Sequence, residues 1–276
     1  MEFKDLICGL ERFGSSSVET CTSILGVEPG IVLEKVILAP WWEPEVFDGF
    51  DEIRLLSQSE SQAVKVWEVR RSGVCATFIK TGIGAPVLMD VVLALGISHC
   101  RQVFFIGSVG ALEEGTDIGD IIIPEYSICG DGASRYLTGK TLREDAFLDR
   151  VFPTFELTES LRSSAERICA AKQIKLHAGR VYSVDTIFAQ FAYIDEITGL
   201  GCNAIEMETA AAFRAARLAQ LEITALLSVS DNVIQKKSLL SGRSQDEITC
   251  RKRIRKYVFP EIIWNTFTEK EGKEKR

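Results

Sequence analysis

What this chain of 276 residues lacks narrows its function first. None of its eight cysteines forms a Cys-x-x-Cys pair and it has only two histidines, so the ligand spacing of a zinc site is missing. The cysteines are scattered, several in apolar strand-like contexts. They read as small buried residues in a chain expected in a reducing cytoplasm. Basic residues are not in excess: 32 Lys and Arg face 39 Asp and Glu, a net charge of -7. The broad positive surface of sequence-independent nucleic-acid binding is therefore not expected, although a small anion can be held wherever a few donors converge. Long apolar runs are absent too. Val103–Ile106 and Ile121–Ile123 are strand-sized, far short of the roughly 20 residues a bilayer demands. Glu2, Lys4, Asp5 and Glu11 leave no signal-peptide pattern at the start. No membrane or nucleic-acid partner is expected.

What is present is an alternation of apolar strands and helices, which argues for an α/β fold. Val36–Leu38 and Val74–Lys80 read as strands, Ala85–Leu95 as a helix closed by Gly96, and Gln102–Ile106 as a buried strand ending in a glycine loop at Gly107–Gly110. Further strands are read at Ile118–Ile123, closed by Pro124, at Lys175–Val184 and at Ile223–Val229. Helices are read at Glu159–Lys172, Glu206–Ala219 and Asp246–Phe267, the last kinked or broken near Pro260. With no internal repeat or long linker, one domain over 36–268 is expected, between an extension at 1–35 and a charged, disordered tail at 269–276.

Five short segments carry candidate chemistry. In Gly107-Ser108-Val109-Gly110, successive amides and the Ser108 hydroxyl can cradle an anion, though such turns after strands are as often empty. Glu206-Met207-Glu208-Thr209 opens a helix, where acids are favoured by the macrodipole anyway. Ser228-Val229-Ser230-Asp231-Asn232 ends a buried strand, the place where ligands gather in open α/β sheets, and an Asp there serves as a general acid if its pKa is raised. Asp131–Ser134, followed by Arg135, and Ser183–Phe188 read alone as turns. His99 and His177 stand at a helix end and within a strand, and neither is placed in a site.

In this order, over roughly residues 36–235, the five segments resemble the nucleoside phosphorylase superfamily: purine nucleoside phosphorylases, uridine phosphorylases and methylthioadenosine nucleosidases. The resemblance implies a single-domain, three-layer α/β sandwich whose central mixed sheet is partly barrel-like. It also implies a homo-oligomer (a dimer, or a hexamer built as a trimer of dimers) and no metal or organic cofactor. It assigns Met207 and Glu208 to ribose and Ser108, beside Gly107, to phosphate. Asp231 becomes the acid that protonates a departing purine at N7, and Ile187 or Phe188 the group facing the base.

Two choices follow from departures within that resemblance. The uridine enzymes read uracil with a Gln and an Arg just after the segment matching Ser183–Phe188. Here there is no Arg, Gln190 comes early, and Asp231 suits a purine. The reading is therefore phosphorolysis of a purine nucleoside, with a uridine phosphorylase as an alternative. The phosphorylases also hold phosphate with two arginines. One is replaced here by Phe105, and the other falls in Leu38–Glu45, which has none. Guanidinium groups are the natural planar partners of phosphate. Arg135, Arg101, Arg54, or Arg70 or Arg71 of a partner subunit are the candidates to replace them. A hydrolytic nucleosidase like the methylthioadenosine enzymes is the second alternative, with Glu43 or Glu45 activating water. A nucleoside-binding module without activity is the third. Trp41 and Trp42 either shape the phosphate site, stack on a base, or belong to an interface.

Overall fold

The computed structural model describes residues 1–57, 63–138, 141 and 143–274. The chain begins with helices α1 (Phe3–Arg12) and α2 (Ser17–Leu25), followed by β1 (Lys35–Ala39), the hairpin strands β2 (Glu52–Leu55) and β3 (Lys65–Arg71), β4 (Val74–Lys80) and α3 (Ala85–Leu95). Next come β5 (Gln102–Ala111), β6 (Ile121–Cys129), β7 (Arg150–Val151), α4 (Phe155–Lys172) and β8 (Leu176–Ser183). After the short helices α5 (Ile187–Gln190) and α6 (Ile194–Gly199) the chain forms β9 (Ala204–Glu206), α7 (Thr209–Leu218), β10 (Glu222–Asn232), α8 (Gln245–Arg253) and α9 (Phe259–Glu274).

One mixed sheet runs in the order β10-β6-β8-β9-β5-β1-β4-β3-β2, and β10 also pairs with β5. Strands β10, β6, β8, β9 and β5 therefore close into a ring, and β1 to β4 extend it as an open sheet. Side chains alternate across the strands with a period of two. On β5, Val103 and Phe105 join a core with α2, α3 and α7, while Phe104 and Ile106 join a second core with α4 and α9. The ring and the helices on its two faces give the expected sandwich with a barrel-like centre.

Several sequence boundaries move, each for a physical reason. Strand β5 continues through Gly107–Gly110 instead of ending in a loop, because β10 pairs alongside (Leu227 with Gly107, Ser228 with Ser108) and β9 pairs with Gly110. There is thus no turn of converging amides at these glycines. A Cβ on Gly110 would stand 3.2 Å from Asp231 Oδ2 and from Ile205 Cγ2, so the glycine serves close strand approach. Pro124 does not close β6; the strand passes it by a register shift between Pro124 and Tyr126. The hairpin β2–β3, absent from the sequence reading, is an edge whose charged residues hide its periodicity.

Glu206 belongs to strand β9, so the helix after it starts only at Thr209, with Glu208 as its N-cap residue. The C-terminal helix is interrupted by a π-helical turn at Ile254–Val258, just before Pro260. Pro260 has no N–H to offer the Lys256 carbonyl, which instead accepts the Asp48 amide at 2.8 Å. Helix α9 continues to Glu274, so the charged stretch from 269 starts within a helix, and 275–276 lie outside the described residues. Among the described residues no helix is long and apolar enough to cross a membrane.

Candidate active site

At the carboxyl ends of β5, β9 and β10 lies a cleft of about 430 Å³. Its floor is made by residues that the sheet brings together: Ser108 and Gly107 on β5, Met207 and Glu208 after β9, and Asp231 on β10. The parallel register of β10 on β5 slips between Val229 and Asp231, which leaves Ser230 as the extra residue and puts Asp231 opposite Gly110. A bulge next to a site re-aims a side chain, and here it sets the buried Asp231 carboxyl into the cleft.

The floor is electrostatically loaded. Burial pushes the Asp231 carboxyl above the usual carboxylate range; Ser230, Arg243 and Arg251 oppose that shift. Ser230 Oγ lies 2.5 Å from Asp231 Oδ1 and 3.2 Å from the Val109 carbonyl. A hydroxyl has one proton to give. When Asp231 is protonated, it can donate to Ser230 and free that hydroxyl for Val109, so the neutral acid fits the network.

Glu208 and Glu206 are two buried carboxyls one residue apart, and each faces a different helix N-terminus. Glu208 Oε1 accepts the Gly84 amide at 2.8 Å, at the start of α3. Glu206 accepts the Glu208 and Thr209 amides at 2.7 and 2.8 Å, at the start of α7, and the hydroxyls of Ser183 and Thr209. Anions are favoured at such ends. Burial and the neighbouring Glu206 charge push Glu208 up to about 8. Burial also raises Glu206, but four donors counter it, so the Glu208 carboxyl holds the pair's proton. A cationic centre arriving beside Glu208 would draw that proton off and make the carboxylate available.

The remaining expected site residues are placed less uniformly. Ile187 lines the cleft, whereas Phe188 points away from it and is 93% exposed. Gln190, which comes early in the sequence, is carried back by the single turn of α5 and lines the cleft. Glu43 is outside it: Lys80 bonds its carboxylate at 2.8 Å, Lys65 adds an ion pair at 3.5 Å, and together they hold it below the usual carboxylate range. Trp41 and Trp42 both line the cleft.

Three of the candidate arginines are engaged elsewhere. Arg135 is forked onto Asp145, Arg54 bonds Glu68 at 2.9 Å, and Arg101 bonds the Cys100 carbonyl at 3.3 Å. Among the described residues the cation lining the cleft is Arg251 of α8, whose Nη2 donates to Ser108 Oγ at 3.3 Å. Its 143-residue separation from Ser108 puts it beyond any local motif. The turns at 131 and 185 are joined to each other, since Gly132 donates to Asp185 at 2.8 Å, but they do not line the cleft. His177 bonds Asp120 at 2.8 Å, also outside the cleft.

Comparison with known proteins places this geometry. The phosphorylase superfamily matches residues 49–256. A guanosine phosphorylase from Halorubrum lacusprofundi is 25% identical over 211 residues, covering 75% of this chain and 82% of that protein. A uridine phosphorylase from Thermococcus kodakarensis is 23% identical over 255 residues, 90% of each chain. Among solved structures, a uridine phosphorylase from Vibrio fischeri superposes with a TM-score of 0.68 at 20% identity, covering 87% of this chain and 93% of that one.

Proposed function

The chain belongs to the phosphorylase superfamily, and from that premise we propose that it cleaves the N-glycosidic bond of a purine nucleoside by phosphorolysis, releasing the free base and ribose 1-phosphate. One observation carries the reading: a carboxyl whose pKa burial raises, Asp231, and a second buried carboxyl, Glu208, line the same cleft at the strand ends. As the bond from C1′ to the base nitrogen breaks, positive charge grows on the sugar. Glu208 is placed to accept the ribose hydroxyls and to favour that charge. Asp231 supplies the proton that a purine takes at N7 as it leaves, and the phosphate oxygen forms the new bond at C1′. Interactions that tighten only as this charge develops raise the rate.

Phosphate is favoured over water because neither carboxylate expected to activate water, Glu43 or Glu45, lines the cleft, and Glu43 is tied up by two lysines. The reaction as written needs no metal or organic cofactor. The proposal includes a homo-oligomer in the cytoplasm. A second reading, phosphorolysis of uridine, has Gln190 in its favour, because an amide buried in the cleft matches the imide edge of uracil.

Base release from inosine, adenosine, guanosine, methylthioadenosine and uridine, each with and without inorganic phosphate, tests the proposal. The expected result is release from a purine nucleoside that requires phosphate. Release without phosphate would replace the transferase by a hydrolase. Release from uridine alone would select the second reading, and no release at all would leave a binding module.

A further inference from the structure

The strand and loop expected to carry phosphate-binding arginines hold a buried Phe105 and the Trp41-Trp42 pair, yet a cation, Arg251, enters the cleft from the other end of the chain. The Arg251 guanidinium bonds Ser108 Oγ, and this is its one side-chain hydrogen bond among the described residues. A guanidinium has five N–H donors, so most of its capacity is open. Arg255, one turn further along, lies over the Trp42 ring at 5.4 Å. Trp42 is 3% exposed and lines the cleft, and its Nε1 has no hydrogen-bond partner among the described residues. A buried indole N–H without an acceptor is costly and calls for a ligand or water.

The charge balance points the same way. Arg243 reaches the Ser230 carbonyl at 3.2 Å, so three guanidiniums gather on this side of the cleft. The carboxyl facing them is Asp231, which carries no charge in the protonated form that an acid needs. Glu247 on the same helix is paired with Lys237 at 2.7 Å. The helix is held close by Gly119, whose φ of +96° and missing side chain leave room for Cys250; a Cβ there would lie 2.9 Å from Cys250 Sγ.

We propose that Arg251, Ser108 Oγ and Trp42 Nε1 form an oxyanion site for inorganic phosphate, so that the C-terminal helix supplies the charge missing from the strand. The choice of phosphate rests on the phosphorolytic reading; the anion site itself does not. Planar guanidinium and N–H donors of this kind are the natural partners of phosphate oxygens.

The test is thermal melting of the full chain titrated with inorganic phosphate, without nucleoside, alongside the KM for phosphate. Phosphate should raise the wild-type Tm. Arg251→Met should abolish that rise and increase the phosphate KM by about tenfold or more, with the nucleoside KM within about twofold. Arg251→Lys should restore part of the effect. Trp42→Phe keeps a ring against Phe47 and Phe259 but loses the N–H together with part of the indole's volume; it should raise the phosphate KM by about threefold with an unchanged circular dichroism spectrum. Arg101→Met should behave as wild type. A wild-type phosphate response in Arg251→Met overturns the inference, as does a wild-type Tm indifferent to phosphate. Base release that ignores phosphate overturns phosphorolysis instead, and the melting comparison still reads the anion site.

Discussion

The floor of the cleft and its rim are made of different material. The floor is sheet: Asp231, Glu206 and Ser108 sit on paired strands, and Glu208 follows one of them, its carboxyl held by a helix amide. The rim is assembled from pieces with little else in common: the loop after β1 with Trp41, the turn at Ile83, the short helix α5 and the C-terminal helix with Arg251. Trp41 is 66% exposed, whereas Asp231 is 4% exposed. A buried, hydrogen-bonded floor fixes the position and protonation of the groups that handle charge. On the proposed function, a looser rim would decide which base and which acceptor enter. The division predicts that floor substitutions lower kcat and rim substitutions raise KM.

The largest effect belongs to Asp231. Asp231→Asn keeps the shape and removes the acid, and kcat on a purine nucleoside should fall by about 10³-fold, within the range of a lost general acid. Full kcat with only a raised KM would dissolve the contrast between floor and rim. Glu208→Ala should come next, with kcat/KM lower by about 10²-fold, because the sugar contacts proposed for it would strengthen as positive charge develops. An effect confined to the KM for phosphate would move Glu208 to the wrong side of the comparison. Gly110→Ala is subtler. Its Cβ would press on Asp231 Oδ2 from 3.2 Å, and a carboxyl displaced by a few tenths of an ångström should cost about tenfold in kcat while the phosphate KM holds. Unchanged kinetics would mean that the acid tolerates looser placement than a floor residue should.

The contrast also explains what the sequence made legible. Ser108, Met207, Glu208 and Asp231 stand at strand ends, and a strand leading into a short polar segment is visible locally. The resemblance placed them in one order, and the sheet places them in one cleft. The rim has no such local mark. Arg251 sits in a run of charges on a helix that reads as a solvated face, and only tertiary packing against Gly119 turns it toward Ser108. Gln190 comes early in the linear sequence, and the helical turn that carries it to the cleft leaves no mark in the spacing. The glycines of β5 suggest a turn because a glycine needed for a close strand approach and one needed for a positive φ look identical in sequence. Phe105 and Glu43 show the converse: the segments where phosphate or water chemistry was expected hold a core side chain and a lysine-bound surface carboxylate.

The smallest expected effect concerns the floor without any substrate. Glu208 has its folded pKa raised from 4.5 to about 8. Between those values the folded chain keeps a proton that the unfolded chain releases, so stability falls as pH rises through that window and is untouched below it. Glu208→Gln removes the titration while its amide oxygen can still accept the Gly84 N–H. Melting temperatures measured from pH 5 to pH 8 should therefore decline less in Glu208→Gln than in the wild type, with the two curves closest at the acid end. Parallel curves would show that Glu208 is ionised throughout, and the burial argument for the floor would fail there. If the curves do diverge, a bound ligand carrying positive charge at the sugar should shrink the difference by drawing the proton from Glu208. A neutral nucleoside should leave it nearly unchanged, which ties the cost of burying this carboxyl to the charge it is placed to meet.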